Sequence, residues 1–157
     1  MNLTLLTVGK TDVQWVKEGL ELYASRLRHY LSFSITEIPE LKKAAALSRE
    51  QVKEKEGELI LKQLEPGDIL FLLDEHGREL RSLEFARWLE RQLAAGGKRL
   101  VFAVGGAYGF SEAVHARCQG KLSLSKMTFP HQMVRVVFAE QLYRAFTILK
   151  GEPYHHE

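Results

Sequence analysis

Two patterns of apolar residues take turns along the chain. Short continuous or alternating apolar runs predict strands, and apolar residues that recur every three or four positions predict helices. Continuous apolar runs at residues 68–74 and Arg99–Val104 are typical of strands covered on both faces in a parallel sheet. Asn2–Val8 predicts a first strand. Phe33–Ile38 alternates and ends at Pro39, which predicts a half-buried strand near a sheet edge.

Between these runs the apolar residues recur every three or four positions, as in amphipathic helices. Thr11 with Gln14, and Ser48 with Gln51, have the spacing of a capping box, and Ser82 marks a third helix start. The first helix carries a stripe that predicts one buried face, and we interpret its tyrosines as core residues. The stripe consists of Val16, Leu20, Tyr23, Leu27 and Tyr30.

The alternation of strand and helix predicts an α/β fold with an open, mostly parallel sheet flanked by helices, in one domain over residues 1–157. In such sheets ligands bind at the carboxyl ends of the strands. His76 and Gly77 are expected to turn the chain after the third strand. A long helix follows at residues 133–150, with an apolar face broad enough to predict a dimer. That face comprises Val134, Val137, Phe138, Gln141, Leu142, Ala145 and Leu149.

Composition narrows the class of protein. Of 157 residues, 45% are hydrophobic and 27% charged, which is typical of a globular domain, and no apolar run is long enough to cross a bilayer. A single cysteine, Cys118, fits a reducing cytosol. The formal net charge of +2 gives no strong sign of nucleic-acid binding. No His, Cys and carboxylate spacing predicts a metal site.

Glycines follow the strand at Arg99–Val104 directly. Gly105, Gly106 and Gly109 form G-G-x-x-G, which differs from the dinucleotide-binding fingerprint and comes after a late strand. Two interpretations stand side by side. The glycines form a tight turn into a helix capped by Ser111, or they let a cofactor lie against the backbone.

Two later segments also carry candidate chemistry. Ser123, Ser125 and Thr128 precede Pro130 in a loop that either only turns the chain or presents free backbone groups to a ligand. In the last helix, Glu140 and Arg144 have the spacing of an ion pair, which by itself indicates only a surface contact. The chain then ends in aromatic and titratable residues, at a place where chains are commonly loose.

Taken together, the segments GGAYG, LSLSKMTFPHQMVRVVFAEQLYRAFTILKGEPYHH and LLTVGK closely resemble the ribosomal RNA large-subunit methyltransferase H family. This family belongs to the SPOUT class of S-adenosylmethionine-dependent RNA methyltransferases. The resemblance implies methylation of N3 of a pseudouridine in 23S ribosomal RNA by a homodimer. It also implies a C-terminal trefoil knot, whereas the pattern alone predicts an ordinary open sheet, because chains rarely knot.

The resemblance also assigns residues to roles. The implied S-adenosylmethionine contacts are Leu73, Gly105, Leu124, Ser125, Lys126, Met127, Thr128 and Phe129. The implied catalytic residues are Glu140, Arg144, Tyr154 and His155. Glu140 or His155 would take the N3 proton, Arg144 would stabilise negative charge on the base, and Tyr154 would orient it. His156 stands where the family often has arginine, which would weaken a phosphate contact there.

Two further hypotheses remain beside the enzyme. One is a ribosome-associated RNA-binding or assembly factor that uses the fold without catalysis. The other is a flavodoxin-like nucleotide-binding protein, which only the sheet pattern and the glycines suggest. For the enzyme, the weak net charge favours a preassembled ribosome as target, and the expected location is the cytoplasm.

Overall fold

A computed structural model describes residues 1–156, in which strands and helices alternate. The strands are β1 (Asn2–Val8), β2 (Phe33–Ile38), β3 (Asp68–Glu79), β4 (Arg99–Val104) and β5 (Gly120–Ser123). The α-helices are α1 (Gln14–Leu27), α2 (Arg49–Lys62), α3 (Ser82–Ala94), α4 (Glu112–Arg117) and α5 (Met133–Leu149). A short 3₁₀ turn, Ala44–Ala46, precedes α2.

The strands form one sheet in the order β2-β1-β4-β3-β5, and each pairing is parallel. The predicted parallel sheet is therefore confirmed, and β2 lies at an edge as expected. Alternate residues of β4 face opposite sides: Phe102 packs with α1, α3 and α5, while Val101 and Ala103 pack toward α2 and α4. Helices thus cover both faces of the sheet, as the continuous apolar runs predict. The trefoil knot stays a prediction.

Helix α5 packs between α1 and α3 on one face of the sheet. Phe138, Leu142 and Ala145 from its predicted apolar face are buried within the chain itself. The sheet and two helices therefore cover part of this face, while Val134, Val137 and Leu149 are only half-buried, and the dimer stays a prediction. Large apolar side chains that do remain exposed include Trp15 and Leu22 on α1, at 55% and 46%.

Three local predictions fail for identifiable reasons. Thr11 does not cap α1, because its backbone amide donates to Glu37 and its hydroxyl accepts from Arg135. His76 and Gly77 do not end the strand, since β3 continues through them to Glu79. Ser123, expected in a loop, instead ends strand β5. By contrast, the capping box of Ser48 and Gln51 and the cap by Ser111 are confirmed.

A fully buried arginine joins α5 to the carboxyl end of β1. The Arg135 guanidinium donates to the carbonyls of Val8 and Gly9 at 2.9 and 3.0 Å and to the Thr11 hydroxyl at 2.8 Å. Its Nε also donates to the His131 carbonyl at 3.1 Å. Burial lowers the pKa of Arg135, and nearby carboxylates oppose that shift. The neighbouring carbonyls and carboxylate compensate a charge that would otherwise be costly to bury.

The extension of β3 passes very close to β5. A Cβ atom placed on Gly77 would lie 2.7 Å from the backbone of Lys121 and Leu122. Pairing is irregular here, because Leu122 pairs with both Leu73 and Arg78. Only glycine fits this approach without moving one of the two strands.

We therefore expect Gly77→Ala to lower the free energy of unfolding by roughly 1–3 kcal/mol, the usual cost of forcing extra atoms into a packed site. Urea unfolding followed by circular dichroism would measure it. His76→Ala, at an exposed neighbouring side chain, is the control. Equal unfolding midpoints for the two variants would contradict the steric argument.

Candidate functional site

A cavity of about 720 Å³ opens at the carboxyl ends of the central strands, where ligands of parallel sheets bind. Leu73 of β3, Val104 of β4 and Leu122 of β5 contribute to its floor. Arg49 and Lys53, from the first turns of α2, line another side. The volume lies within the range of pockets that hold a ligand of cofactor size.

All but one of the predicted cofactor residues line this cavity. Those that do are Leu73, Gly105, Leu124, Ser125, Met127, Thr128 and Phe129. Lys126 is the exception: its side chain is 85% exposed, and its Nζ lies 3.9 Å from Glu79. The fold thus brings together three stretches that are far apart in the sequence.

Hydroxyl groups shape the loop after β5. The Ser123 hydroxyl donates to the carbonyl of Ser125 at 2.8 Å, and the Ser125 hydroxyl accepts from the amide of Met127 at 3.0 Å. These bonds are typical of turn-forming serines, so they satisfy hydrogen-bonding groups of the loop itself. Met127 is 79% exposed at the cavity, and Phe129 is partly exposed beside it. The loop therefore offers the cavity apolar side chains and backbone.

The glycine cluster forms the facing wall, where the tight turn into a helix is confirmed and the contact with a cofactor stays a prediction. The Gly109 amide donates to the Gly106 carbonyl in a tight turn, and the chain then enters α4 at the Ser111 cap. Residues 105–110 also line the cavity. Tyr108 is partly exposed there, with the Arg49 guanidinium 5.3 Å from its ring centroid, within cation–π range.

The four predicted catalytic residues meet in one cluster where the chain leaves α5. The Arg144 guanidinium donates to Glu140 Oε2 at 2.8 Å, and its Nη1 lies 3.0 Å from Nδ1 of His155. The Tyr154 hydroxyl donates to Glu140 Oε2 at 2.8 Å, and Arg144 lies 4.9 Å from the Tyr154 ring centroid. None of these four residues is among those lining the cavity. We name this group the tail cluster.

Glu140 is the centre of the tail cluster. Besides Arg144 and Tyr154, it accepts at Oε1 from the side-chain amide of Gln141 at 3.1 Å, and Gln141 in turn accepts from the Ser82 hydroxyl at 3.0 Å. Sequence analysis interpreted Gln141 as part of an apolar face, and no sequence signal indicates its partners. Arg144 Nε also donates to Oε1 at 3.4 Å, so each oxygen of the carboxylate accepts from two donors, which argues against Glu140 as the proton acceptor.

Charge and burial adjust the proton affinities in the tail cluster. The hydrogen bond to Glu140 raises the pKa of Arg144, so the guanidinium stays charged. Burial, followed by the hydrogen bond to Glu140, raises the pKa of Tyr154 above its ordinary value. Tyr154 therefore keeps its proton and acts as a donor.

The contact with Arg144 selects the tautomer of His155. A guanidinium only donates, so Nδ1 of His155 must accept, and the hydrogen of the neutral ring lies on Nε2. Nε2 is buried and has no hydrogen-bond partner among the described residues. In this arrangement His155 has no free lone pair with which to take a proton, contrary to the role considered from the sequence.

A sequence model of a known family, described as "Predicted SPOUT methyltransferase", matches residues 1–155. The chain belongs to the SPOUT methyltransferase family. Curated relatives named "Ribosomal RNA large subunit methyltransferase H" agree over the full length of both chains: those of Bacteroides fragilis and Phocaeicola vulgatus are 55% and 56% identical. The one of Flavobacterium johnsoniae is 50% identical, again over the whole of both chains. The family expected from the sequence motifs is confirmed.

Solved structures include a more distant likeness. The SpoU methyltransferase AviRb from Streptomyces viridochromogenes, in complex with AdoMet, has a TM-score of 0.45 and 13% identity. The match covers 90% of this chain and 56% of that chain. So distant a likeness does not bear on function.

The described residues show neither a membrane-spanning helix nor a metal centre. No helix within residues 1–156 is long and apolar enough to cross a bilayer. No three His, Cys, Asp or Glu side chains in that range are placed to share a metal ion.

A substitution at Gly105 tests whether the glycine cluster forms a wall against which the cofactor binds. A Cβ atom there would lie 3.2 Å from the ring of Phe110, which is buried and lines the cavity. Gly105→Val should therefore displace Phe110, weaken S-adenosylmethionine binding more than about tenfold and destabilise the fold by roughly 1–3 kcal/mol.

Calorimetric titration with S-adenosylmethionine and thermal melting would measure the two effects. Gly105→Ala is the graded comparison, because one methyl group requires a smaller movement of Phe110. Unchanged affinity in the valine variant would mean that the glycine serves only the turn.

Proposed function

We propose that the protein transfers the methyl group of S-adenosylmethionine to N3 of a pseudouridine in 23S ribosomal RNA. The cavity at the carboxyl ends of β3, β4 and β5 carries the proposal, because it gathers the backbone and apolar groups that the family resemblance assigns to the cofactor. Full-length relatives at 50–56% identity that are named ribosomal RNA methyltransferases support the reaction class.

The cavity suits S-adenosylmethionine in size and lining. Leu73, Leu124 and Phe129 supply apolar surface for the adenine ring, and Gly105 lets the ligand approach the backbone of the facing wall. When bound, the cofactor supplies a methyl group on a sulfonium, which needs a nucleophile held in line and close. The protein's task is accordingly to position and ionise the base.

The tail cluster fits that task by charge. Glu140 and His155 lack a free lone pair in this arrangement, whereas Arg144 is a fixed cation. We infer that Arg144 stabilises the negative charge that develops on the base when N3 loses its proton, and that this proton passes to solvent. Glu140 holds Arg144 and Tyr154 in place, and Tyr154 orients the base by stacking.

A homodimer explains why the site has two parts. The tail cluster does not line the cavity of its own chain, so we infer that the cluster of one subunit completes the cavity of its partner. Exposed apolar side chains around the cavity and on α1, such as Met127 and Trp15, provide surface for that contact. We further infer that the target is the ribosome rather than free RNA, in the cytoplasm.

Single-turnover methylation of ribosomal subunits that lack the modification tests the function. With labelled S-adenosylmethionine we expect label in 23S RNA, at one pseudouridine when the RNA is digested and examined by mass spectrometry. Cofactor binding without transfer would favour the assembly factor. Absence of cofactor binding would contradict the proposed function, and membership of the SPOUT methyltransferase family already argues against the flavodoxin-like alternative.

Removal of residues 154–157 should abolish methyl transfer and leave cofactor affinity unchanged, because the cavity contains none of these residues. Mixing this truncated chain with Gly105→Val should restore about a quarter of wild-type activity, since half of the dimers are mixed and each has one complete site.

Activity and calorimetry on the separate and mixed variants would measure this. Wild-type transfer by the truncated chain would remove Tyr154 and His155 from the mechanism. A mixture as inactive as its components would contradict a shared site.

A further inference from the structure

The tail, residues 151–156, reverses direction directly after α5. Gly151 adopts a left-handed conformation with φ of 69°, which favours glycine, and the amide of Glu152 donates to the Thr147 carbonyl at 2.9 Å. The amide of Tyr154 then donates to the Glu152 carbonyl at 2.9 Å. Because Tyr154 follows Glu152 so closely, the direction taken at Glu152 decides where the tail cluster forms.

Tyr30, which follows α1, makes a hydrogen bond to this turn. The Tyr30 hydroxyl donates to Glu152 Oε2 at 2.7 Å, across 122 positions of sequence. The Tyr30 ring stacks on Phe146 of α5, with centroids 5.3 Å apart and planes 12° apart. Burial, followed by the bond to Glu152, raises the pKa of Tyr30 to about 12, so the hydroxyl remains a donor at any physiological pH.

The same aromatic group reaches the tail cluster. Tyr143 lies between Tyr30 and Tyr154, with ring centroids 6.3 and 4.8 Å away. The Tyr30 ring thus packs against α5. Its hydroxyl group makes the hydrogen bond to the tail. The interaction adds a contact from the segment after α1 to a tail that Thr147, Glu140 and Arg144 of α5 also hold.

We propose that Tyr30 and Glu152 form a latch that positions the tail, so that Tyr154 and His155 meet Glu140 and Arg144 in a geometry ready for the substrate. Neither latch residue touches the reacting atoms; each acts through the tail cluster. The proposal rests on the methyltransferase function proposed above. It assigns Tyr30, which the sequence indicates only as a core residue, a part in the rate of the reaction.

The first measurement needs neither RNA nor cofactor. Hydrogen exchange of the full-length protein should show amides of the tail exchanging about tenfold faster in Tyr30→Phe and in Glu152→Ala, the size expected for losing a hydrogen bond to a charged group. Tyr30→Phe keeps the stacked ring and removes only the hydroxyl. Glu152→Gln keeps an acceptor oxygen without the charge and should recover most of the wild-type protection.

The second measurement separates positioning from stability. Single-turnover methylation should slow about tenfold in Tyr30→Phe and Glu152→Ala, while the Kd for S-adenosylmethionine and the melting temperature stay near wild-type values. Glu152→Gln should recover the rate. The double variant should be no slower than either single one, because both remove the same bond. His29→Ala, at an exposed neighbour of Tyr30, is the control.

Wild-type tail exchange and wild-type rates in Tyr30→Phe would overturn the latch, as would additive losses in the double variant or failure of Glu152→Gln to recover the rate. If the wild-type protein transfers no methyl group, the proposed function fails, and the exchange experiment still decides whether the latch holds the tail.

Discussion

The buried guanidinium of Arg135 connects the two ends of the chain, and the rest of the site depends on it. It ties α5 to the carbonyls that end β1 and to the His131 carbonyl at the edge of the cavity. A buried cation is tolerable only with partners on every side, so this contact admits one geometry for α5 and penalises others. The position of α5 in turn determines where the cavity loop before it and the tail cluster at its carboxyl end lie.

In the proposed mechanism, the tail cluster positions the base and supplies charge, and it does not itself take the proton. The donors and acceptors of the tail cluster satisfy one another: a carboxylate holds a cation and a phenol, and the cation holds an imidazole. Such a network is rigid and leaves charge rather than basicity available to the substrate. The cavity is built differently: backbone and apolar side chains from the strand ends and loops lie beside charged residues of α2 such as Arg49 and Lys53. The two parts can therefore be altered separately.

Sequence periodicity predicts most of the fold because burial on both faces leaves a clear signal, as in Arg99–Val104. It misses β5, whose four residues include Gly120 and Lys121 and carry no strand signal. The sequence does not predict the roles of Arg135, Gln141 and Tyr30, for another reason. Arg135 and Gln141 are ordinary residues for a helix and Tyr30 for a segment after one, and only their contacts with other side chains and backbone groups give them a role. Motif resemblance, by contrast, predicts residues from three of the segments that line the cavity, but it does not predict the side contributed by Arg49 and Lys53 of α2.

The late position of β5 has a consequence for how the protein is made. During synthesis, β1 to β4 are available before Gly120–Ser123, so β3 is left with an unpaired edge that can pair with other chains. The loop after β5, which forms a wall of the cavity, and helix α5, which covers one face of the sheet, are also synthesised last. A chain without these segments has an incomplete cavity, because Leu122, Leu124 and Phe129 belong to its lining.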